Sequence, residues 1–212
     1  MSLEDEVNNK GSKKFIKKAL KAGFNLAVAA ASGIISYGFV GISGPLTGFA
    51  FAAGSAVLNA MGKNPDKKSK GIEGLIKDFS VGSLTGIVGV WGYDLATAYF
   101  PTPGIARALF GISVANPTFT AAYMANNYII KNDFNPSGIG KYFNENYLPV
   151  LKNITLWLGL PVALTINGYG IPAEVRGFDL RGYPSIIAAD SIYRVVAGVA
   201  QKKIAQASAP AH

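Results

Sequence analysis

Polar side chains recur at helical spacing inside an otherwise apolar stretch, residues 105–130. Asn116, Thr120, Tyr123 and Asn127 stand at i, i+4, i+7 and i+11, which places four hydrogen-bonding groups on one stripe of a helix. Such a stripe is unfavourable against lipid tails. It indicates either a hydrated path or solute pocket, or hydrogen bonds to neighbouring helices, typically worth under about 2 kcal/mol per contact.

A single carboxylate, Asp94, interrupts the apolar run 79–100, and Arg107 follows the turn at residues 101–104. A charge in hydrocarbon costs a few kcal/mol unless it faces other helices, water or a counter-ion. If the two runs form a hairpin, a rise of about 1.5 Å per residue puts both side chains roughly 10 Å below the same surface. The pair would be a structural lock, or an ion or proton site whose partner is released during transport.

Two further charged groups lie near the carboxyl terminus. Asp190 and Arg194 are four residues apart, in the order that favours a salt bridge on one helix face; this is a packing element unless the face opens to water. A glycine-bounded loop carries charges of alternating sign, which indicates a solvated loop or the outer mouth of a path. Its charged residues are Glu174, Arg176, Asp179 and Arg181.

Apolar helices must position these residues, and the sequence predicts six of them. About 22 residues span roughly 33 Å, enough for a hydrocarbon core of about 30 Å. The pattern predicts an all-α integral membrane protein of three helical hairpins, residues 23–200, and a flexible cytoplasmic tail, residues 201–212. Its spans are about 23–42, 45–61, 79–100, 105–130, 147–166 and 183–200.

Small residues four apart predict close contacts between the first three spans, because they allow helix backbones to approach. The pairs are Ser32 and Ser36, Gly44 and Gly48, and Gly82 and Gly86.

The first 22 residues combine many lysines with Phe15, Ile16 and Leu20. This pattern is typical of a short amphipathic helix on an anionic lipid surface, where each nearby lysine contributes about 1 kcal/mol. A nucleic-acid partner is not expected for a basic run that adjoins a span. Most of the twenty lysines and arginines fall on one side of the predicted topology, so we expect both termini in the cytoplasm and the protein in the plasma (inner) membrane.

Composition excludes several kinds of chemistry. The chain is half apolar and 15% charged, whereas soluble domains are about a quarter charged. It has no cysteine, and its one histidine is His212, so we expect no thiol chemistry and no metal centre. Nucleotide-binding and hydrolase motifs do not occur at their required spacings. We therefore expect neither an enzyme nor a cofactor.

The sequence predicts a transporter or channel for a small solute or ion. The Asn116 stripe would line the path, with Asp94 as a coupling or selectivity carboxylate and Arg107 as its counter-ion. The alternative is a non-catalytic structural or accessory subunit of a larger membrane complex, or a homo-oligomer, since Gly- and Ala-rich faces suit helix association.

Overall fold

The computed structural model describes residues 3–155, apart from residues 63, 65, 66 and 103. In this part of the chain 88% of the residues are helical and none forms a strand, which confirms the all-α prediction there. The predicted span 183–200, most of span 147–166 and the tail 201–212 lie outside the described residues.

Helix α1, Leu3–Val40, joins the basic segment and the first predicted span into one helix. The sequence predicts a separate short basic helix, but residues 3–40 contain no proline to break the hydrogen-bond ladder. The helix ends before Gly41, whose φ of 61° is the left-handed conformation common after helices. Helix α2, Ser43–Ala60, then returns along α1.

Helix α3, Gly71–Tyr99, follows a short 3-10 turn, Lys67–Ser69. It begins eight residues before the predicted span, so the end of the lysine-rich connector is helical too. Helix α2 packs more extensively on α3 than on α1.

The fourth predicted span is a helical column that changes its winding. It consists of α4, Ile105–Phe110, a π-helical turn, Gly111–Ala115, and α5, Asn116–Lys131. Pro117 lacks a backbone N–H, and its ring clashes with the carbonyl one turn earlier. The wider π turn that precedes Pro117 accommodates both the missing hydrogen bond and the steric clash, so the helix continues through the polar stripe.

Helix α6, Ile139–Ile154, starts well before the predicted fifth span because Gly138, with a φ of 84°, ends the preceding turn at that point. It packs against α5. The Tyr147 hydroxyl donates a hydrogen bond of 3.2 Å to the Pro117 carbonyl, which ties α6 to the first turn of α5.

Burial in this bundle is the reverse of that in a water-soluble domain. Among the described residues, polar and charged side chains outnumber apolar ones in the interior; Thr47, Ser55 and Ser83 are fully buried. Large apolar side chains point outward instead, with Ile34 73% and Ile105 79% exposed. An apolar surface of this extent needs an apolar environment or a partner.

Several buried hydroxyls bond to backbone carbonyls of their own helices. Thr47 donates to the Ser43 carbonyl at 2.8 Å, and Ser80 donates to the Ile76 carbonyl at 3.1 Å. This back-bonding satisfies the hydroxyl where water is absent. A hydrogen bond between helices adds to it, from the Asn126 amide to the Thr85 hydroxyl at 3.2 Å.

Glycines set the separation of α1, α2 and α3, as the small-residue pairs predict. A Cβ at Gly44 would lie 2.5 Å from the Ser36 Cβ of α1. A Cβ at Gly82 would lie 2.8 Å from the Thr47 carbonyl oxygen of α2. The predicted close contacts at Ser36, Gly44 and Gly82 are therefore confirmed.

One helix among the described residues is long and apolar enough to cross a membrane, within the stretch Phe15–Val40 of α1. Only 22% of its most apolar window is buried, unlike the core helix of a soluble protein. Helices α2 and α3 do not meet the same test of length and apolarity; glycine, serine and threonine make up much of their buried faces. The six-span arrangement is thus not confirmed.

Candidate functional site

The polar stripe of α5 takes part mainly in helix packing. The Asn116 amide donates to the Thr155 hydroxyl at 2.7 Å, and the buried Thr120 hydroxyl donates to the Asn116 carbonyl at 2.8 Å. The Tyr123 ring lies 5.8 Å from the ring of Phe51. At the far end of the stripe, Asn127 lines a cavity of about 330 Å³.

Arg107 locks the turn between α3 and α4 through the backbone. Its Nε donates to the Phe100 carbonyl at 2.7 Å, and Nη2 donates to the Pro101 carbonyl. The side chain is buried, and Nη1 has no hydrogen-bond partner among the described residues. These carbonyls hold Arg107 against the turn, and its pairing with Asp94 stays a prediction.

Asp94 lies on α3, partly buried. Its backbone carbonyl accepts a hydrogen bond of 2.9 Å from the Thr97 hydroxyl. The remaining predicted site residues lie outside the described part of the chain: Glu174, Arg176, Asp179, Arg181, Asp190 and Arg194.

The structure adds a site at the opposite end of the bundle, where α1, the 3-10 turn, α3 and the end of α5 meet. A cavity of about 450 Å³ opens there, and five of the nine residues that line it are lysines. We call it the lysine pocket. Its lining consists of Lys21, Lys68, Lys70, Glu73, Gly74, Lys77, Lys131, Asn132 and Asp133.

Four of these side chains form a closed ring of alternating charge, the charge ring. Glu73 lies 3.0 Å from Lys21 and 3.4 Å from Lys77. Asp133 lies 2.5 Å from Lys77 and 3.4 Å from Lys21. Each carboxylate is therefore shared by the same two ammonium groups, which joins α1, α3 and the end of α5.

A second ion pair is buried beside the charge ring, and its lysine also lines the pocket. The Lys131 ammonium is 2.6 Å from Asp78 Oδ1, and both side chains are at least 95% buried. The Ser69 hydroxyl bridges them, accepting from Lys131 at 2.7 Å and donating to Asp78 at 3.1 Å. This buried triad fixes the 3-10 turn to both α3 and α5.

Close backbone packing holds the lysine-bearing turn in place. A Cβ at Gly74 would lie 2.4 Å from the Ser69 carbonyl carbon, so the turn sits directly on α3. The Asn59 amide of α2 donates to the Ser69 carbonyl at 2.7 Å, and the Asn64 amide donates to the Asn59 side chain at 2.9 Å. These contacts place Lys68 and Lys70 at the cavity.

The turn after α5 carries two non-glycine residues with left-handed backbones, Asp133 at a φ of 54° and Phe134 at 63°. This conformation is unfavourable for a bulky residue such as Phe134. Two contacts maintain it: Asp133 enters the charge ring, and the Phe134 ring packs edge-on against Phe24 of α1 at 5.7 Å. The end of α5 is thus held against α1 by both charge and aromatic packing.

The charge ring should lose its stabilising effect in acid. The hydrogen bond from Lys21 lowers the pKa of Glu73, and that from Lys77 lowers the pKa of Asp133, although partial burial opposes both shifts. The unfolded groups titrate near 4.5 and 3.8, so the stabilisation is present above about pH 4.5 and is lost as the pH falls through the lowered values. Both carboxylates are about half exposed, which limits the effect to about 1 kcal/mol or less.

We therefore expect Glu73→Gln/Asp133→Asn to lower the thermal midpoint by a few °C at pH 7 and by less at pH 3. Thermal unfolding of the detergent-solubilised protein from pH 7 to pH 3 measures this difference. The same difference at every pH would contradict the assigned ionisation of the ring.

Sequence reasoning used the lysines for topology but missed their partners. Asp78 directly precedes the predicted span 79–100, and Lys131 directly follows the predicted span 105–130. In a hairpin these positions share one depth, as the neighbouring Lys77 and Asp133 also do. The rise per residue that predicts Asp94 and Arg107 at one depth near the turn of this hairpin also predicts Asp78 and Lys131 at one depth at its other end.

The described residues contain no cluster of histidine, aspartate and glutamate that could hold a metal ion. Their chemistry is that of a basic cavity beside a buried ion pair. No protein-family model, curated protein or solved structure matches the chain.

Proposed function

We propose that the helices form a multi-pass bundle embedded in a membrane. The inverted burial supports this proposal, since Phe49 on α2 and Leu95 on α3 are exposed on helices whose buried faces carry glycine and hydroxyl residues. In lipid the outward apolar side chains are favourable, and the small inward residues allow close helix packing. Helices α2 and α3 would then cross the membrane although their average apolarity is modest.

Within this bundle, we propose that the protein transports a small solute. One observation carries the proposal: the polar stripe of α5 leads from Asn116 to Asn127, and the cavity at Asn127 shares Lys68, Lys131 and Asn132 with the lysine pocket. The hydrogen bond between Asn116 and Thr155 closes the inner part of the stripe. Transport would require this contact to open, which is the behaviour of an alternating-access gate.

A liposome flux assay tests the transport proposal with three radiolabelled anions as probes: chloride, acetate and inorganic phosphate. We expect the purified full chain to move at least one of them faster than protein-free liposomes. Asn127→Leu, Asn116→Leu and Asp94→Asn should each reduce that flux about tenfold, because the first two remove a polar group from the proposed path and the third removes its carboxylate charge.

Thr118→Val is the matched control. Thr118 lies on the same helix but is exposed and bonded to the Val114 carbonyl, so its replacement should change flux less than twofold. Wild-type flux in all four variants, or no flux above background for any probe, would contradict transport along this stripe.

A second candidate function is that of an accessory subunit, and one surface favours it. Phe15, Ile16, Leu20 and Phe24 line an open apolar groove on α1, which suits a partner helix. Light scattering of the purified protein in detergent tests this: a stable homo-oligomer disrupted by Leu20→Gln would support it. A monomer that transports alone would contradict it.

A further inference from the structure

The ion pair of Asp78 and Lys131 is buried, yet its lysine reaches two cavities. Both side chains are at least 95% buried, and Lys131 lines the lysine pocket and also the cavity at Asn127, where the polar stripe of α5 ends. Asp78 is fully buried and lines neither cavity. A solute at the end of the stripe therefore meets the lysine of the pair and not its carboxylate.

The Asp78 carboxylate has one oxygen without a hydrogen bond. Oδ1 lies 2.6 Å from the Lys131 ammonium and accepts from the Ser69 hydroxyl at 3.1 Å. Oδ2 is buried and has no hydrogen-bond partner among the described residues. A buried carboxylate that only supports packing normally has both oxygens satisfied. Oδ2 can accept a proton without the loss of either contact to Oδ1.

Charge balance links a proton on Asp78 to an anion beside Lys131. In the structure the ammonium and the carboxylate neutralise each other. An anion that pairs with Lys131 from the cavity would place two negative charges against one positive charge in a buried position, which is strongly unfavourable. One proton from water, bound at Oδ2, restores neutrality and forms only an O–H bond.

We infer that Asp78 couples transport to protons: it takes up one proton at Oδ2 when a monovalent anion replaces it as the counter-ion of Lys131. When the anion leaves, Asp78 releases the proton and pairs with Lys131 again. The inference rests on the transport function proposed above and adds its driving force. Anion and proton then move in the same direction, and a proton gradient drives the anion.

Other charged and titratable groups face this pair across the two cavities. The carboxylates that line them are Glu73 and Asp133 of the charge ring, both about half exposed. The hydrogen bonds from Lys21 and Lys77 lower their pKa values, so both stay ionised near neutral pH. The remaining groups are lysines and tyrosines: Lys21, Lys68, Lys70, Lys77, Tyr128 and Tyr142. Asp78 is thus the carboxylate whose charge an anion at Lys131 displaces.

Proteoliposomes of the purified full chain test the coupling with the same chloride, acetate and inorganic phosphate probes. Protein-free liposomes correct for passive entry of neutral acid. For a monovalent anion that enters with one proton, an inward gradient of about one pH unit should drive accumulation approaching about tenfold. Asp78→Asn keeps an oxygen acceptor for Ser69 but cannot ionise. It should abolish this accumulation and retain exchange of labelled for unlabelled anion.

Glu145→Gln is the matched control, because Glu145 is an exposed carboxylate on α6 away from both cavities. It should accumulate the anion like the wild type. Asp78→Ser is a second uncharged variant for the case that Asp78→Asn does not fold. A pH indicator in weakly buffered medium counts protons independently, and we expect about one proton per monovalent anion in the wild type.

Accumulation in the wild type, together with its loss in an Asp78 variant that still exchanges the anion, supports the inference. Wild-type exchange without accumulation, or without proton entry, overturns the coupling and leaves the transport proposal standing. Accumulation that survives in the Asp78 variants but is lost in Glu73→Gln/Asp133→Asn assigns the proton to the charge ring and also overturns it. No flux of any probe contradicts both proposals.

Discussion

Replacing Gly48 by alanine is expected to prevent α2 and α3 from packing at their native separation. A Cβ at this position would lie 2.2 Å from the Ser83 hydroxyl and 2.6 Å from the Phe79 carbonyl oxygen. The hydroxyl can rotate away, but the carbonyl belongs to the α3 backbone, so the helices must separate. Overpacking of this kind costs about 1–3 kcal/mol and sometimes more; we expect about 3 kcal/mol because α2 and α3 share the largest helix contact.

Unfolding by sodium dodecyl sulfate in mixed micelles, followed by circular dichroism, measures this loss. Gly38→Ala is the matched control, since nothing lies within 4 Å of a Cβ there. It should leave stability unchanged or raise it by up to about 1 kcal/mol through helix propensity. Equal effects of the two substitutions would show that Gly48 is not at a tight helix contact.

Lys131→Met should destabilise the protein by about 3–5 kcal/mol, because it leaves the Asp78 carboxylate buried without its counter-charge. Asp78 is fully buried, and its Oδ2 already lacks a hydrogen-bond partner among the described residues. The double variant Asp78→Leu/Lys131→Met removes both charges and should recover most of the loss, since hydrophobic replacement of a whole buried pair is often neutral.

A double-mutant cycle on the free energy of unfolding measures this coupling. Lys141→Met is the exposed control: its ammonium is 3.8 Å from Glu145 and both side chains are largely exposed, so the cost should stay below about 1 kcal/mol. Additive losses for Asp78 and Lys131 would contradict the buried pair.

The small-residue pattern predicted helix contacts well because it reports a steric requirement that acts locally. Gly44 faces Ser36, and Gly82 faces α2, as their spacing indicates. The helix boundaries do not follow from the same pattern. The length of an apolar run indicates the lipid-facing part of a helix and not its full extent. Thus α1 and α3 extend into the lysine-rich segments, where the charge ring stabilises turns that apolarity alone does not predict.

Polar spacing in the sequence indicates which residues can form hydrogen bonds between or within helices, but not which groups they bond. Asn116 and Thr120 are buried and hydrogen-bonded, and Arg107 locks its turn. Their acceptors are the hydroxyl of Thr155, directly after α6, and backbone carbonyls, which the spacing of residues in the sequence does not identify. The lysine pocket needs four segments to converge on one cavity, and no single segment contains that information.

A membrane-embedded bundle requires α3 to face lipid, and Trp91 provides the most direct test. Trp91 is 49% exposed on α3 and packs edge-on against Phe39 of α1 at 5.8 Å. The chain has two tryptophans, so Trp157→Phe leaves Trp91 as the one fluorophore. In bilayers of lipids brominated along the acyl chain, we predict strong quenching of Trp91 and little quenching by aqueous acrylamide. Efficient quenching by acrylamide with no effect of the brominated lipids would contradict a membrane-embedded bundle.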